Sequence, residues 1–200
     1  SQRNGSPMNE RSEPYCEMAY SAIRANMHNW GDPKWYRPLT RSFYDNVFHS
    51  SNNNTGFITK GSVEARIAYK LNPKFYKNGK KKEYQPCYDH YLSPQFVAVM
   101  VISNPDIYLD CIESFAKIFE LSTSVVETTN PENTAMRGFT TTKKGVHRIK
   151  VPSDEKYDRA GITLCKRPKG VTELAKAVIT EEKLFYPKEL LEFEKRFLVV

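Results

Sequence analysis

Apolar residues recur with a helical period along much of this chain. In 13–27, Tyr15, Met18, Ala19, Ala22 and Ile23 fall on one face, as they do on an amphipathic helix. Ser12 and Pro14 supply a cap and a first-turn proline. Gly31, Pro33 and Pro38 then interrupt the pattern. A short helix capped by Thr40 is expected over 40–49, a loop over 49–56 and a helix over 62–71. Ser93-Pro94 opens an apolar run, "QFVAVMVIS", whose start reads as helical. Asn104-Pro105 repeats the device ahead of apolar positions 107, 108, 111, 112, 115, 118 and 119, so one amphipathic helix is expected over 104–122.

Other stretches read as extended. Asn78-Gly79 is a tight-turn signal joining "KFYK" to "KKEYQPCY", which predicts a β-hairpin whose second strand ends in Asp89 and His90. The β-branched run 123–129 reads as a strand, followed by a helix capped by Asn130. A strand is expected over 145–151, with its partner over 160–168, and two helices in the tail flank Pro187. The pattern predicts an α+β fold with one domain over 13–200, behind a polar, disordered leader over 1–12.

Composition changes this picture little: of 200 residues 40% are hydrophobic and 26% charged, as in ordinary globular chains. Charge changes it more. The net charge is +7, which favours polyanionic partners. Residues 60–90 hold eight Lys/Arg against three Asp/Glu, and residues 141–170 hold nine against three. Residues 91–140 hold two against six, so two basic segments flank an acidic, apolar middle. The four cysteines form no C-x-x-C pair, which argues against a zinc ribbon. No apolar run approaches a membrane span and no signal segment is evident, so a cytoplasmic protein with no membrane partner is expected. Walker, dinucleotide-binding and nucleophile-elbow motifs are absent from the sequence.

Asp89-His90 carries the candidate chemistry. A neutral imidazole can take a proton from water near neutral pH, and a carboxylate can hold a hard divalent ion. Neighbouring strand residues point to opposite faces, so the two can serve one site only where the strand ends. The string "DHYLSPQFV", followed by "VVETTNPENTAM", resembles phage-encoded nucleases of the HNH, or ββα-metal, superfamily. It is most similar to free-standing homing endonucleases with an endonuclease VII-type Asp-His…Asn motif. The resemblance covers about residues 84–139. It implies a core of a strand ending in Asp-His, inserted helices, a second strand and a helix. It implies a Mg²⁺- or Mn²⁺-dependent endodeoxyribonuclease in which Asp89 and Asn133 are metal ligands and His90 is the general base. Asn130 is the rival to Asn133, better placed as a helix cap.

Lysine-rich segments would bind the backbone of double-stranded DNA: Lys77, Lys80, Lys81 and Lys82 in the hairpin, and Lys143, Lys144, Arg148 and Lys150 around His147. Arg137 is placed to brace a phosphate, and Glu132 is either an extra ligand or a helix-start carboxylate facing the dipole. The protein would act as a monomer or homodimer. Two alternatives stand beside the nuclease: a non-catalytic, sequence-specific nucleic-acid-binding protein such as a phage regulator, and a virion or assembly protein.

Overall fold

The computed structural model describes residues 10–52, 55–71, 86–167 and 183–199, excepting the side chains of 69–71. The hairpin expected around Asn78-Gly79 lies outside the described residues, as do the first tail helix and most of the polar leader. Helices and strands alternate in a mixed α+β fold. The single domain expected over 13–200 packs as two compact units interleaved along the chain. The first comprises Ser1–Asn52, Leu92–Thr123 and Thr142–Val146, and the second the remainder.

The first unit is helical. α1 (Glu13–Asn26) buries Cys16, Ala19 and Ile23; of the face expected from its periodicity only Ala19 and Ile23 are fully buried, Met18 is 62% exposed, and Cys16 points inward. Ser12 is itself buried, so the leader's last residues belong to the folded molecule. α2 (Pro33–His49) is longer than expected. Asp32, not Thr40, caps it by accepting from the Lys34 amide at 3.1 Å, and Pro33 takes the first position. Pro38 sits inside this helix rather than ending it. The carbonyls around it find side-chain donors: Thr40 Oγ1 bonds Tyr36 O at 2.8 Å and Ser42 Oγ bonds Pro38 O at 3.0 Å. Burial of Leu39, Phe43 and Val47 gives the helix an apolar reason to continue.

α4 (Pro94–Ser103) is buried at every position from Phe96 to Ile102. The helix expected over 104–122 is two: α5 (Pro105–Tyr108) and α6 (Ile112–Thr123). At the break the Leu109 carbonyl accepts from Arg24 and, at 3.4 Å, from the Tyr20 hydroxyl of α1. Phe43 meets Phe115 and Phe119 edge-on at 5.7 Å each, closing the core.

The second unit is built on a four-stranded sheet in the order β2-β3-β1-β6. β1 (Phe57–Thr59), which falls beside the expected loop, runs parallel to β3 (Val125–Thr129) and antiparallel to β6 (Leu164–Lys166). β2 (Pro86–His90) runs antiparallel to β3, pairing Asp89 with Val126 and His90 with Val125. α3 (Lys60–Leu71) supplies Val63 and Ile67 to a cluster with Ile58 and Cys165. α7 (Asn130–Met136) follows β3 directly. The remaining α-helices among the described residues are α8 (Lys156–Arg159) and α9 (Lys188–Lys195).

The strand over 145–151 has a different partner from the expected 160–168. β5 (Val146–Ile149) pairs with β4 (Thr140–Lys143) in a local hairpin, leaving β6 to β1. Its two turn residues, Lys144 (φ 50) and Gly145 (φ 78), are both left-handed, as primed hairpin turns require. A lysine in that conformation is uncommon, which is why the turn left no signal in the sequence.

Candidate active site

β2 is the strand on which the candidate residues meet. Alternation along it puts Cys87 and Asp89 on one face, and Tyr88 and His90 on the other. The ladder runs through His90↔Val125, so β2 ends at the histidine and not before it. The Asp89 and His90 side chains therefore leave opposite faces of the sheet. They can approach one phosphate only beyond the strand end, the condition expected of a strand that finishes at Asp89-His90.

Asn133 lies on the Asp89 side. α7 begins with a capping box: Thr129 Oγ1 accepts from the Glu132 amide, and Glu132 Oε2 accepts from the Thr129 amide at 2.9 Å. The cap is thus Thr129, and Asn130 is the first helical residue. Glu132 Oε2 is committed to the cap and to the Thr59 hydroxyl at 2.6 Å, so this carboxylate serves first as a helix-start group. One residue later, Asn133 Nδ2 donates to Cys87 Sγ at 3.3 Å. A contact across 46 residues of sequence brings its amide to the face of β2 that carries Asp89.

Asp89 has two partners absent from the sequence expectations. Lys156 Nζ lies 2.7 Å from Asp89 Oδ2, and the Tyr157 hydroxyl donates to the same oxygen at 2.7 Å. Lys156 also donates to the His90 carbonyl at 2.9 Å, clamping the strand end. The Asp89 and Lys156 side chains are only 13% and 12% exposed, so water screens this pair weakly. Burial pushes the Tyr157 hydroxyl well above its usual range, with the charge and hydrogen bond of Asp89 adding to it. Tyr157 is therefore a proton donor to the carboxylate throughout the physiological range.

His90 is neutral at physiological pH. Burial pushes its imidazole down to about 4, the Asp89 charge opposing and the Lys156 charge adding. An imidazole so placed accepts a proton without first having to lose one, at the cost of weak basicity.

The metal-ion fit turns on which oxygens are in use. Both contacts to Asp89 fall on Oδ2, and Asn133 is engaged through its amide nitrogen. Among the described residues Asp89 Oδ1 and Asn133 Oδ1 accept no hydrogen bond, and neither is a buried unpartnered atom. Two hard oxygens suit a largely hydrated Mg²⁺ or Mn²⁺. The residues do not form a closed centre: among those described, no three His, Cys, Asp or Glu gather where they could hold a metal.

A second ionic cluster went unforeseen. Glu127, at the middle of β3, is fully buried. It accepts from Ser62 Oγ at 3.0 Å, pairs with Arg66 of α3, and lies 3.3 Å from Arg167 Nη1. The signal was a single acid inside a β-branched run read as a strand. Of the basic residues, Arg137, Lys143, Lys144, Arg148 and Lys150 are all exposed, while Lys77, Lys80, Lys81 and Lys82 lie outside the described residues. His147 packs edge-on to Phe197 at 5.0 Å and burial lowers its pKa, so it is part of the packing around α9. No described helix is long and apolar enough to cross a membrane. No family model matches this chain, and no curated protein or solved structure matches it.

Proposed function

We propose that this protein is a metal-dependent DNA endonuclease of the HNH type that hydrolyses phosphodiester bonds at the end of β2. The observation that carries this reading is the Asn133–Cys87 contact. It brings an amide from the helix after β3 to the strand face that bears Asp89, and the order strand, three helices, strand, helix supports a ββα-metal-like reading with inserted helices. Asp89 Oδ1 and Asn133 Oδ1 would hold the ion. When bound, a divalent ion polarises a phosphate oxygen and steadies charge on the leaving oxygen. Lys156 and Tyr157 fix the Asp89 carboxylate through its other oxygen. His90, neutral and at the last ladder position, takes the proton of the attacking water past the strand end. Arg137, Arg148 and Lys150 supply exposed cations for DNA phosphates.

Relaxation and linearisation of supercoiled plasmid with Mg²⁺ or Mn²⁺ test this. Asp89→Asn, Asn133→Ala and His90→Ala should each lower cutting by two orders of magnitude or more, a typical loss for a general acid–base group, while duplex affinity stays within a few-fold. Cutting by Asp89→Asn at the unaltered rate would sink the reading, as would no cutting by the parent with either metal. Loss in Asp89→Asn and Asn133→Ala but not in His90→Ala would retain the ion site and remove His90 as the base.

The Lys156–Asp89 ion pair favours a second reading, a non-catalytic DNA-binding protein in which Asp89 is purely structural. On that reading no metal-dependent cutting appears, and Lys156→Met destabilises the fold as much as Asp89→Asn does.

A further inference from the structure

Away from Asp89, the first unit carries a groove of about 740 Å³ along the start of α2, within the range of small-ligand clefts. One wall is a helical stripe, Tyr36, Arg37, Thr40, Arg41 and Tyr44, spaced so that successive turns face the same way. Trp30, just before the helix, stacks on Tyr36 with ring centroids 5.5 Å apart and planes 24° apart. The other wall is the hairpin tip Thr142–Gly145, with Gln95 Nε2 3.5 Å from the Thr142 carbonyl. Arg37, Arg41, Lys143 and Lys144 are exposed around the opening. Arg41 lies 4.7 Å over the Tyr44 ring and is paired with Asp45 at 3.2 Å, which offsets one of these four cations and leaves Arg37, Lys143 and Lys144 to give the opening its positive charge. Lys144 is kept at φ 50, where glycine or asparagine is usual, on the groove's rim.

Flat aromatic faces interleaved with cations are the composition of sites for unpaired nucleotides. Rings receive bases whatever their identity, and Lys/Arg track the phosphates. A purely phosphate-directed site would not need the aromatics, and a purely apolar partner would take water from the cations and give them nothing in return. We infer that this groove binds a single-stranded nucleic-acid segment, with one base on the Trp30–Tyr36 or Tyr44 rings and the flanking phosphates on Arg37, Lys143 and Lys144. The site is independent of whether Asp89 serves a nuclease, since binding here involves no bond cleavage.

The chain has two tryptophans, so full-length protein carrying Trp35→Phe reports on Trp30 alone. Titration with an oligothymidylate of about ten nucleotides, within the usual site sizes, is made at low salt without divalent metal. Trp30 emission should be quenched on binding. Arg37→Glu with Lys143→Glu should weaken affinity at least about tenfold with an unchanged circular dichroism spectrum. An affinity unmoved by the double reversal, or binding without quenching, overturns the inference. So does a duplex of the same length that quenches equally well, or thymidine monophosphate competing at equal concentration. Should Trp35→Phe fail to fold, anisotropy of a labelled oligonucleotide with the exposed Lys143→Glu variant gives the same decision. Plasmid cutting is read separately, so failure of the Asp89 reading leaves every one of these outcomes interpretable.

Discussion

Glu127 and His90 show how much a single position depends on what faces it. Glu127 is a fully buried carboxylate matched by two arginines whose side chains are 24% and 31% exposed. Removing a buried acid strands its partners, but these two can turn to water, so the penalty falls at the low end for broken buried pairs. Glu127→Ala should cost about 2–3 kcal/mol, measured by urea denaturation; a cost below 0.5 kcal/mol, the range of ordinary surface substitutions, would show that the pair contributes nothing net. His90 gives a pH dependence. Its folded pKa, about 4, lies below the ordinary 6.5. The unfolded chain therefore takes up a proton first as pH falls, and stability drains away between pH 6.5 and about 4, levelling below that. The loss attributable to His90 should be on the order of 3 kcal/mol at most, and the His90→Asn variant should show a correspondingly flatter stability profile over that window.

At the scale of elements, capping decides where α7 starts and so where Asn133 lies. Asn130-Pro131 looks like a cap and first-turn proline, but Thr129 one residue earlier has the glutamate three positions on that completes a reciprocal pair. Thr129→Ala should cost about 1 kcal/mol in urea denaturation. It should also lower plasmid cutting more than the stability loss alone would, because α7 carries the amide that reaches Cys87. Equal cutting in a measurably less stable variant would dissociate α7 from the proposed chemistry. α2 teaches the complementary lesson. Pro38 removes the helical hydrogen bond to the Lys34 carbonyl, yet the burial of Leu39, Phe43 and Val47 carries the helix past it.

For the whole molecule, the net charge of +7 is the property that bears most directly on partners. Lys143, Lys144, Arg148 and Lys150 are exposed, and on the proposed reading they meet DNA phosphates. Four neutralised phosphates should make duplex affinity fall about a hundredfold between 50 and 200 mM salt. Anisotropy titrations at the two salt concentrations check this, and a salt-independent affinity would favour an assembly protein over either nucleic-acid reading. The chain threads between its two compact units several times. The charge shifts at 90/91 and 140/141 fall beside two of those passages, but no linker marks them, so the sequence reads as one domain.

By itself, the sequence determined α1, α3, α4, β2, β3 and β5, and the order strand, helices, strand, helix around Asp89 and Asn133. Periodicity, prolines and caps act over a few residues, so they can be read locally. Tertiary structure alone decided that β5 pairs with β4, that a parallel β1 lies beside β3, and that Lys156 and Tyr157 close on Asp89 from nearly 70 residues away. It also decided that Trp30, Tyr36 and the hairpin tip face one another across a groove. Such contacts depend on which surfaces are left to bury once the elements exist, and no short-range pattern encodes that choice.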